Sequence, residues 1–217
     1  MLQFRLDARS RPLNILLLGS HCDDIEIGCG GAVMRLVACY PQARFVWVTL
    51  SSDDGRAIET RAAAERLLAG ADDSVVRIEE FRTSYLPHCG PALKDFFETL
   101  KVYSPDLILT HCRQDLHQDH RVTSELTWNT FRDQLILEYE IPKFDGDLGA
   151  PNVFFPLTRA EMKRKCDTLM ECFPSQRARQ WFTRDTFEAL ARLRGIECNA
   201  PEGYAEAFYS RKFSIVP

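Results

Sequence analysis

The stretch Asn14–Leu36, NILLLGSHCDDIEIGCGGAVMRL, decides the fold. Asn14–Ser20 is an apolar run of strand length, and such a run reads as a parallel strand buried on both faces. His21-Cys22-Asp23-Asp24 follows at once, a compact set of metal ligands and proton acceptors. Gly28-Cys29-Gly30-Gly31 then opens a helical segment, Gly28–Tyr40, with Ala32, Val33, Leu36 and Val37 on one face and Pro41 as its stop. The glycines let that helix start close to the sheet.

Working outward, strand and helix patterns alternate. Strands are expected at Arg44–Ser51, Val75–Phe81, Leu107–Thr110 and Leu135–Ile141, and helices at Arg56–Leu68, Pro91–Val102 and Asp119–Arg132. This alternation specifies an α/β fold with a Rossmann-like, doubly wound, mostly parallel sheet of order 3-2-1-4-5. Lys143–Ala150, KFDGDLGA, is the candidate junction. Beyond it come a short strand (Asn152–Phe155), helices at Arg159–Cys172 and Arg184–Arg194, and a last segment, Tyr204–Ser210. The expected organisation is one domain over residues 1–217, with its core at 13–142 and a small C-terminal cap at 151–217, which is too short for an independent core.

Bulk properties narrow the function. The chain has 217 residues, and its apolar fraction of 45% supports a real core. A net charge of −4 argues against nucleic acid or an anionic membrane as the main partner. No apolar run approaches the ~18 residues of a membrane span. The polar lead-in MLQFRLDARSRP lacks the apolar core of a signal peptide. None of the eight cysteines forms a CxxC pair, so a zinc ribbon is not indicated, and the expectation is a cytoplasmic protein with reduced thiols.

Four of the five histidines, His21, His111, His117 and His120, fall in two polar segments, one after the first strand and one after the fourth. In the order 3-2-1-4-5 those strands are neighbours at the switch point, where ligands bind beyond the carboxyl ends. Both segments therefore converge on one crevice. His21 and Asp24 are spaced for one ion, and a histidine from His117-Gln118-Asp119-His120 completes a His₂Asp set with an open position. Asp23 is the candidate general base, and the remaining histidine is free to serve as acid or oxyanion donor. A dinucleotide loop is the competing reading of the glycines. However, the G-x-G-x-x-G order is missing, and Asp23, Asp24 and Glu26 would repel a phosphate.

At these residues the sequence resembles the PIG-L/LmbE-like family of zinc-dependent N-deacetylases. The family's A-H-P-D-D-E-x-x-G-C-G-G signature stands here as Ser20-His21-Cys22-Asp23-Asp24-Ile25-Glu26-Ile27-Gly28-Cys29-Gly30-Gly31, and its H-x-D-H as Asp115-Leu116-His117-Gln118-Asp119-His120. Looser likeness covers Arg56-x-x-Glu59, Ser175-Gln176 and Tyr204-Ala205-Glu206-Ala207-Phe208. The resemblance implies that His21, Asp24 and His120 bind Zn²⁺, with Fe²⁺ as an alternative. It implies Asp23 as general base, His117 as acid or oxyanion stabiliser, Asp119 as an orienting group and Arg56 as a substrate contact. His111 receives no ligand role and is expected to line the substrate pocket. The implied activity is hydrolysis of the acetamide of an N-acetylglucosamine-type sugar or glycoconjugate, with a homo-oligomer left open. A catalytically silent, metal-retaining sugar-binding protein is the alternative, because Cys22 replaces the usual proline and Ile25 an acidic residue. Without proline the ligand turn loses a φ restraint, and oxidation at Cys22 is expected.

Overall fold

A computed structural model describes residues 3–6 and 11–214, so residues 1, 2 and 7–10 of the polar lead-in lie outside the described residues. At the centre is β1 (Asn14–His21), flanked by parallel β2 (Arg44–Ser51) on one side and parallel β4 (Leu107–His111) on the other. Alternate side chains of β1 feed two separate cores. Ile15 and Leu17 face one layer, and Leu16 and Leu18 face the opposite one. A strand with apolar residues on both faces is stable only when both are covered.

The full sheet has seven strands in the order β3-β2-β1-β4-β5-β7-β6, with β3 at Asp73–Ile78, β5 at Leu135–Tyr139, β6 at Val153–Leu157 and β7 at Tyr204–Ser210. The five-strand order expected from sequence is present. It is extended by β7, which inserts antiparallel between β5 and β6. Pro156 is compatible with β6 because an edge strand has one side free of ladder bonds. The C-terminal region thus extends the sheet as well as capping it.

After β1 the chain runs into α1 (Asp24–Cys39), which packs in the first core. After β4 it runs into α4 (Gln118–Thr130), whose Val122, Leu126 and Trp128 pack against the second. These opposite departures make β1/β4 the switch point. The remaining helices are α2 (Asp54–Leu67), α3 (Gly90–Thr99), α5 (Arg159–Cys172) and α6 (Arg184–Glu197). No helix among the described residues is long and apolar enough to cross a membrane.

α1 starts at Asp24, four residues before the expected Gly28, and it is broken at Cys29, where φ is −146°. The break is filled from the C-terminal region. The Glu206 carboxylate accepts from Gly31 N (2.8 Å) and Ala32 N (2.6 Å), and Lys165 Nζ donates to Ile27 O (2.6 Å) and to Glu206 (2.6 Å). Buried backbone groups freed by a helix break need such partners. Gly28 has a separate cause: a Cβ there would lie 2.2 Å from the Tyr139 ring.

Candidate metal centre

β1 and β4 end in His21 and His111, and pairing of the two strands brings the polar segments together as expected. Asp23 links β1 to α1 with φ of 104°, in the left-handed region that non-glycine residues seldom occupy. Asp24, at the start of α1, accepts the His21 N–H through Oδ2 at 2.7 Å, which folds the carboxylate back over the histidine. On α4, His117 is the N-cap, its Nδ1 accepting from Asp119 N at 3.2 Å, and His120 projects from the first turn.

The result is a tight donor set. His21 Nδ1 and His120 Nε2 are 3.3 Å apart, and Asp24 meets the first through Oδ2 at 3.4 Å and the second through Oδ1 at 3.5 Å. Three donors held at about 2.0–2.1 Å in tetrahedral array around one ion are separated by about 3.3–3.4 Å, so the arrangement fits a single divalent cation. Two further groupings overlap it, His21 with His117 and His120, and Asp24 with His111 and His120. Of these, His111 is already engaged, its Nε2 lying 3.0 Å from Ser20 N and 3.3 Å from the Tyr139 hydroxyl.

The outer ring nitrogens are tied by carboxylates. Asp119 Oδ2 meets His21 Nε2 at 2.9 Å, and Asp115 Oδ2 meets His120 Nδ1 at 2.9 Å. Such partners fix which nitrogen faces the ion and raise its basicity. Asp119 also accepts from Ser84 N at 2.7 Å and Leu86 N at 3.3 Å, and Asp115 contacts Lys143 Nζ at 3.1 Å. Asp115 stands in the quoted motif, yet sequence reasoning gave it no role. Lys143 and the backbone of Ser84 and Leu86 reach the site from separate loops and carry no sequence signal.

Charge is concentrated in this small buried volume. Burial opposes the charged form of His21, but Asp24 and Asp119 push its pKa up to about 9. Burial also opposes ionisation of Asp24, and the surrounding His120, His111 and His21 nonetheless hold it well below the carboxylate range. Burial, with help from His111, brings His120 down to about 4. Burial and His21 lower His117. Asp23 goes the other way: burial and the neighbouring Asp24 push it up to about 7 against Arg56, His21 and Arg179.

Arg56 donates through Nη2 to the Cys22 carbonyl and lies 3.2 Å from Asp23 Oδ1, so it braces the turn that a proline would otherwise restrain. Cys22 is fully buried, with Sγ directed to Ser52 Oγ at 3.2 Å and away from the donor set. Its burial raises the thiol pKa, which corrects the expectation of oxidation there: a buried, protonated thiol is inert. Ile25 fills the core behind the turn. His111 is fully buried, with Nε2 3.1 Å from Asp24 Oδ2 and its ring stacked on His120 at 3.9 Å. It packs beneath Asp24 and His120 and has no open surface, so it does not line a pocket as expected. Thus His21, Asp23, Asp24, His117, Asp119, His120 and Arg56 share one site, with His111 beneath it.

Comparison with known proteins agrees with this geometry. The profile of a family described as PIG-L: GlcNAc-PI de-N-acetylase matches residues 16–131, more than half of the chain. No curated protein matches the sequence. Among solved structures, a conserved protein of Thermus thermophilus superposes with a TM-score of 0.73 at 20% identity, over 94% of this chain and 98% of the other. N,N'-diacetylchitobiose deacetylase of Pyrococcus horikoshii gives 0.67 at 19% identity, over 91% and 83%. GalB, the 4-carboxy-2-hydroxymuconate hydratase of Pseudomonas putida, gives 0.74 at 17% identity, over 94% and 98%. At these identities the structural likeness establishes the fold, and one such fold carries more than one chemistry.

Proposed function

The chain belongs to the PIG-L family, and from that premise we propose that it is a zinc-dependent hydrolase that removes the acetyl group from an N-acetylated amino sugar or its glycoconjugate. The observation that carries the reading is the donor cluster of His21, Asp24 and His120: the two ring nitrogens are 3.3 Å apart, and Asp24 meets His21 Nδ1 through Oδ2 at 3.4 Å and His120 Nε2 through Oδ1 at 3.5 Å. These residues would hold Zn²⁺, and a His₂-carboxylate set also suits Fe²⁺. A bound divalent ion supplies Lewis acidity and lowers the pKa of water at its open position toward ~7.

The chain's own groups do the rest. Asp23 is the general base. Its Oδ1 is engaged by Arg56, which leaves Oδ2 to take a proton from the attacking water, and a carboxyl near 7 can accept and release that proton at neutral pH. His117 receives the Asp119 N–H at Nδ1, so its own proton sits on Nε2. A neutral ring with Nε2–H donates a hydrogen bond to the oxyanion that forms on the amide carbonyl, which supports the stabilising role over that of an acid. Asp119 holds His21, and Arg56 holds both the turn and the base. Collapse of the adduct releases free amine and acetate. We assign the whole chain to one such catalytic unit.

The test is zinc content together with acetate release from N-acetylglucosamine and its glycosides. Asp23→Ala is expected to keep zinc and lose most turnover, and His120→Ala to lose zinc. Full activity in Asp23→Ala would overturn the base assignment. Stoichiometric zinc with no acetate release from any N-acetylated sugar would favour the silent sugar-binding alternative.

A further inference from the structure

The loop Lys143–Ala150 turns two side chains inward. Its other six residues are exposed, whereas the side chains of Lys143 and Asp147 are only 8% and 7% exposed. Lys143 Nζ donates to both Asp147 oxygens, at 2.7 and 2.6 Å, and lies 3.1 Å from Asp115 Oδ2. The two carboxylates that share this ammonium receive consecutive backbone donors. Asp147 Oδ2 accepts from Leu116 N at 2.7 Å, and Asp115 Oδ1 accepts from His117 N at 2.8 Å. The far end of the loop is fixed to the body of the protein: Gly149 N donates to Glu140 Oε1 at 3.2 Å, and Gly149 O accepts from Arg194 Nη2 at 2.9 Å.

The segment so held needs a brace. Leu116 is 56% exposed, so apolar packing does little to fix it. Its carbonyl accepts from Arg121, which lies on α4 itself and cannot set the segment against the rest of the molecule. The His117 ring is half-buried, and its Nδ1 is bonded within its own turn, to Asp119 N. The direction of His117 Nε2 therefore follows the chain at Leu116–His117. An oxyanion donor is useful only when it is aimed before the charge develops. A misplacement of about 1 Å can cost about a hundredfold in rate.

We propose that Asp147, clamped by Lys143, is a positioning residue for His117: it holds the Leu116 N–H so that His117 Nε2 keeps its aim at the amide oxygen. The effect on rate rests on the deacetylase reading, but the position of the ring can be followed without turnover.

The experiment uses zinc-loaded protein and an N-acetylated sugar that the wild type hydrolyses. It compares wild type, Asp147→Ala, Asp147→Asn, His117→Ala and the double variant Asp147→Ala/His117→Ala. Asp147→Ala leaves the Leu116 N–H without its acceptor and is expected to lower kcat about ten- to a hundredfold, with KM within about threefold of wild type and zinc still stoichiometric. Asp147→Asn keeps a carbonyl oxygen for that N–H and should recover most of the loss. The double variant should be no slower than His117→Ala, because nothing is left to position. Losses that multiply in the double variant, or a kcat in Asp147→Ala within about twofold of wild type, would overturn the assignment. Zinc lost from a folded Asp147→Ala protein would overturn it too, by showing that the brace serves the metal through Asp115. Asp147→Ser takes the place of Asp147→Ala if the alanine variant does not fold. If no N-acetylated sugar yields acetate, the deacetylase reading fails, and the ring signals in a proton–carbon NMR spectrum decide. The His117 signal, identified by its absence from His117→Ala, should move in Asp147→Ala and return in Asp147→Asn; a signal unmoved in Asp147→Ala overturns the brace.

Discussion

Asp119→Asn isolates the contribution of the carboxylate proposed to orient His21 from behind the donor set. Asp119 accepts three hydrogen bonds, from His21 Nε2 at 2.9 Å and Ser84 N at 2.7 Å on one oxygen and from Leu86 N at 3.3 Å on the other. An asparagine can keep its carbonyl oxygen toward His21 and Ser84, but its amide then opposes the Leu86 N–H, donor against donor. The bond to His21 also changes from charge-assisted, worth about 1.5–3 kcal/mol, to neutral, worth about 0.5–1.5 kcal/mol. The expected loss is about 1–2 kcal/mol in metal binding, or roughly 5- to 30-fold in affinity. Titration against a chelator of known zinc affinity measures it. Asp115→Asn, on the His120 side, should cost less, because Lys143 at 3.1 Å already shares that negative charge. Zinc affinity unchanged in Asp119→Asn would refute the orienting role. Complete loss of metal from a folded Asp119→Asn protein would make Asp119 a ligand and refute it from the other side.

Metal entry should release protons, because His21 in the metal-free site holds its proton up to about pH 9 and must give it up to become a ligand. At pH 7.5 about one proton from His21, plus a fraction from Asp23, should appear as a buffer-dependent heat in calorimetry, and it should vanish as pH rises past 9; a buffer-independent heat at pH 7.5 contradicts this. The same raised pKa means that the protonated His21 stabilises the metal-free fold fully below about 6.5 and less as pH climbs through 9. Glu206→Gln leaves the Lys165 ammonium buried without its counter-charge, which should cost about 3–5 kcal/mol and be seen in a denaturant titration; a loss under about 1 kcal/mol would show that the pair is not needed. Gly28→Ala drives a methyl to 2.2 Å from the Tyr139 ring and should cost about 1–3 kcal/mol. Tyr139→Leu should recover part of that loss, and additive losses in the double variant would exclude the clash.

The first five strands were legible because each apolar run is bounded by polar or glycine residues and separated by a helical period. Their expected order rests on the doubly wound arrangement that such an alternation adopts, and only the sheet pairing establishes it. The candidate ligands were legible because they lie within a few positions of strand ends that the topology brings together. What sequence did not disclose was long-range. β7 sits between β5 and β6, with ladder partners from Leu157↔Tyr204 to Leu137↔Ser210, and nothing in Tyr204–Ser210 names them. The start of α1 was misplaced for a local reason. Asp24 and Ile25 look like loop residues beside four polar groups, yet the Asp24 side chain caps back onto His21 N and allows helix from Asp24 onward. His111 could not be told from a pocket residue, since only the register of β4 against β1 shows that it lies under Asp24.

The broken helix ties the proposed ion site at the N-terminal end of α1 to residues near the C-terminus. The first turn of α1 must set Asp24 against His21 and His120, while the rest must lie flat on the sheet and against α5. One straight helix satisfies both only if the two directions coincide, and the non-helical φ at Cys29 shows that they do not. A break in buried surroundings exposes Ile27 O, Gly31 N and Ala32 N to an apolar interior, a cost of about 1–3 kcal/mol for each unsatisfied group. Lys165 and Glu206 meet all three and neutralise each other. The glycine cluster, the lysine of α5 and the glutamate of β7 therefore act as one joint, and the joint frees the first turn of α1 to take the angle that the donor cluster needs. On this view Glu206 is far from the chemistry, yet its loss should loosen the metal as well as the fold. A Glu206→Gln protein that unfolds more easily but binds zinc with wild-type affinity would separate the two and show that the first turn is held by Arg56 and His21 alone.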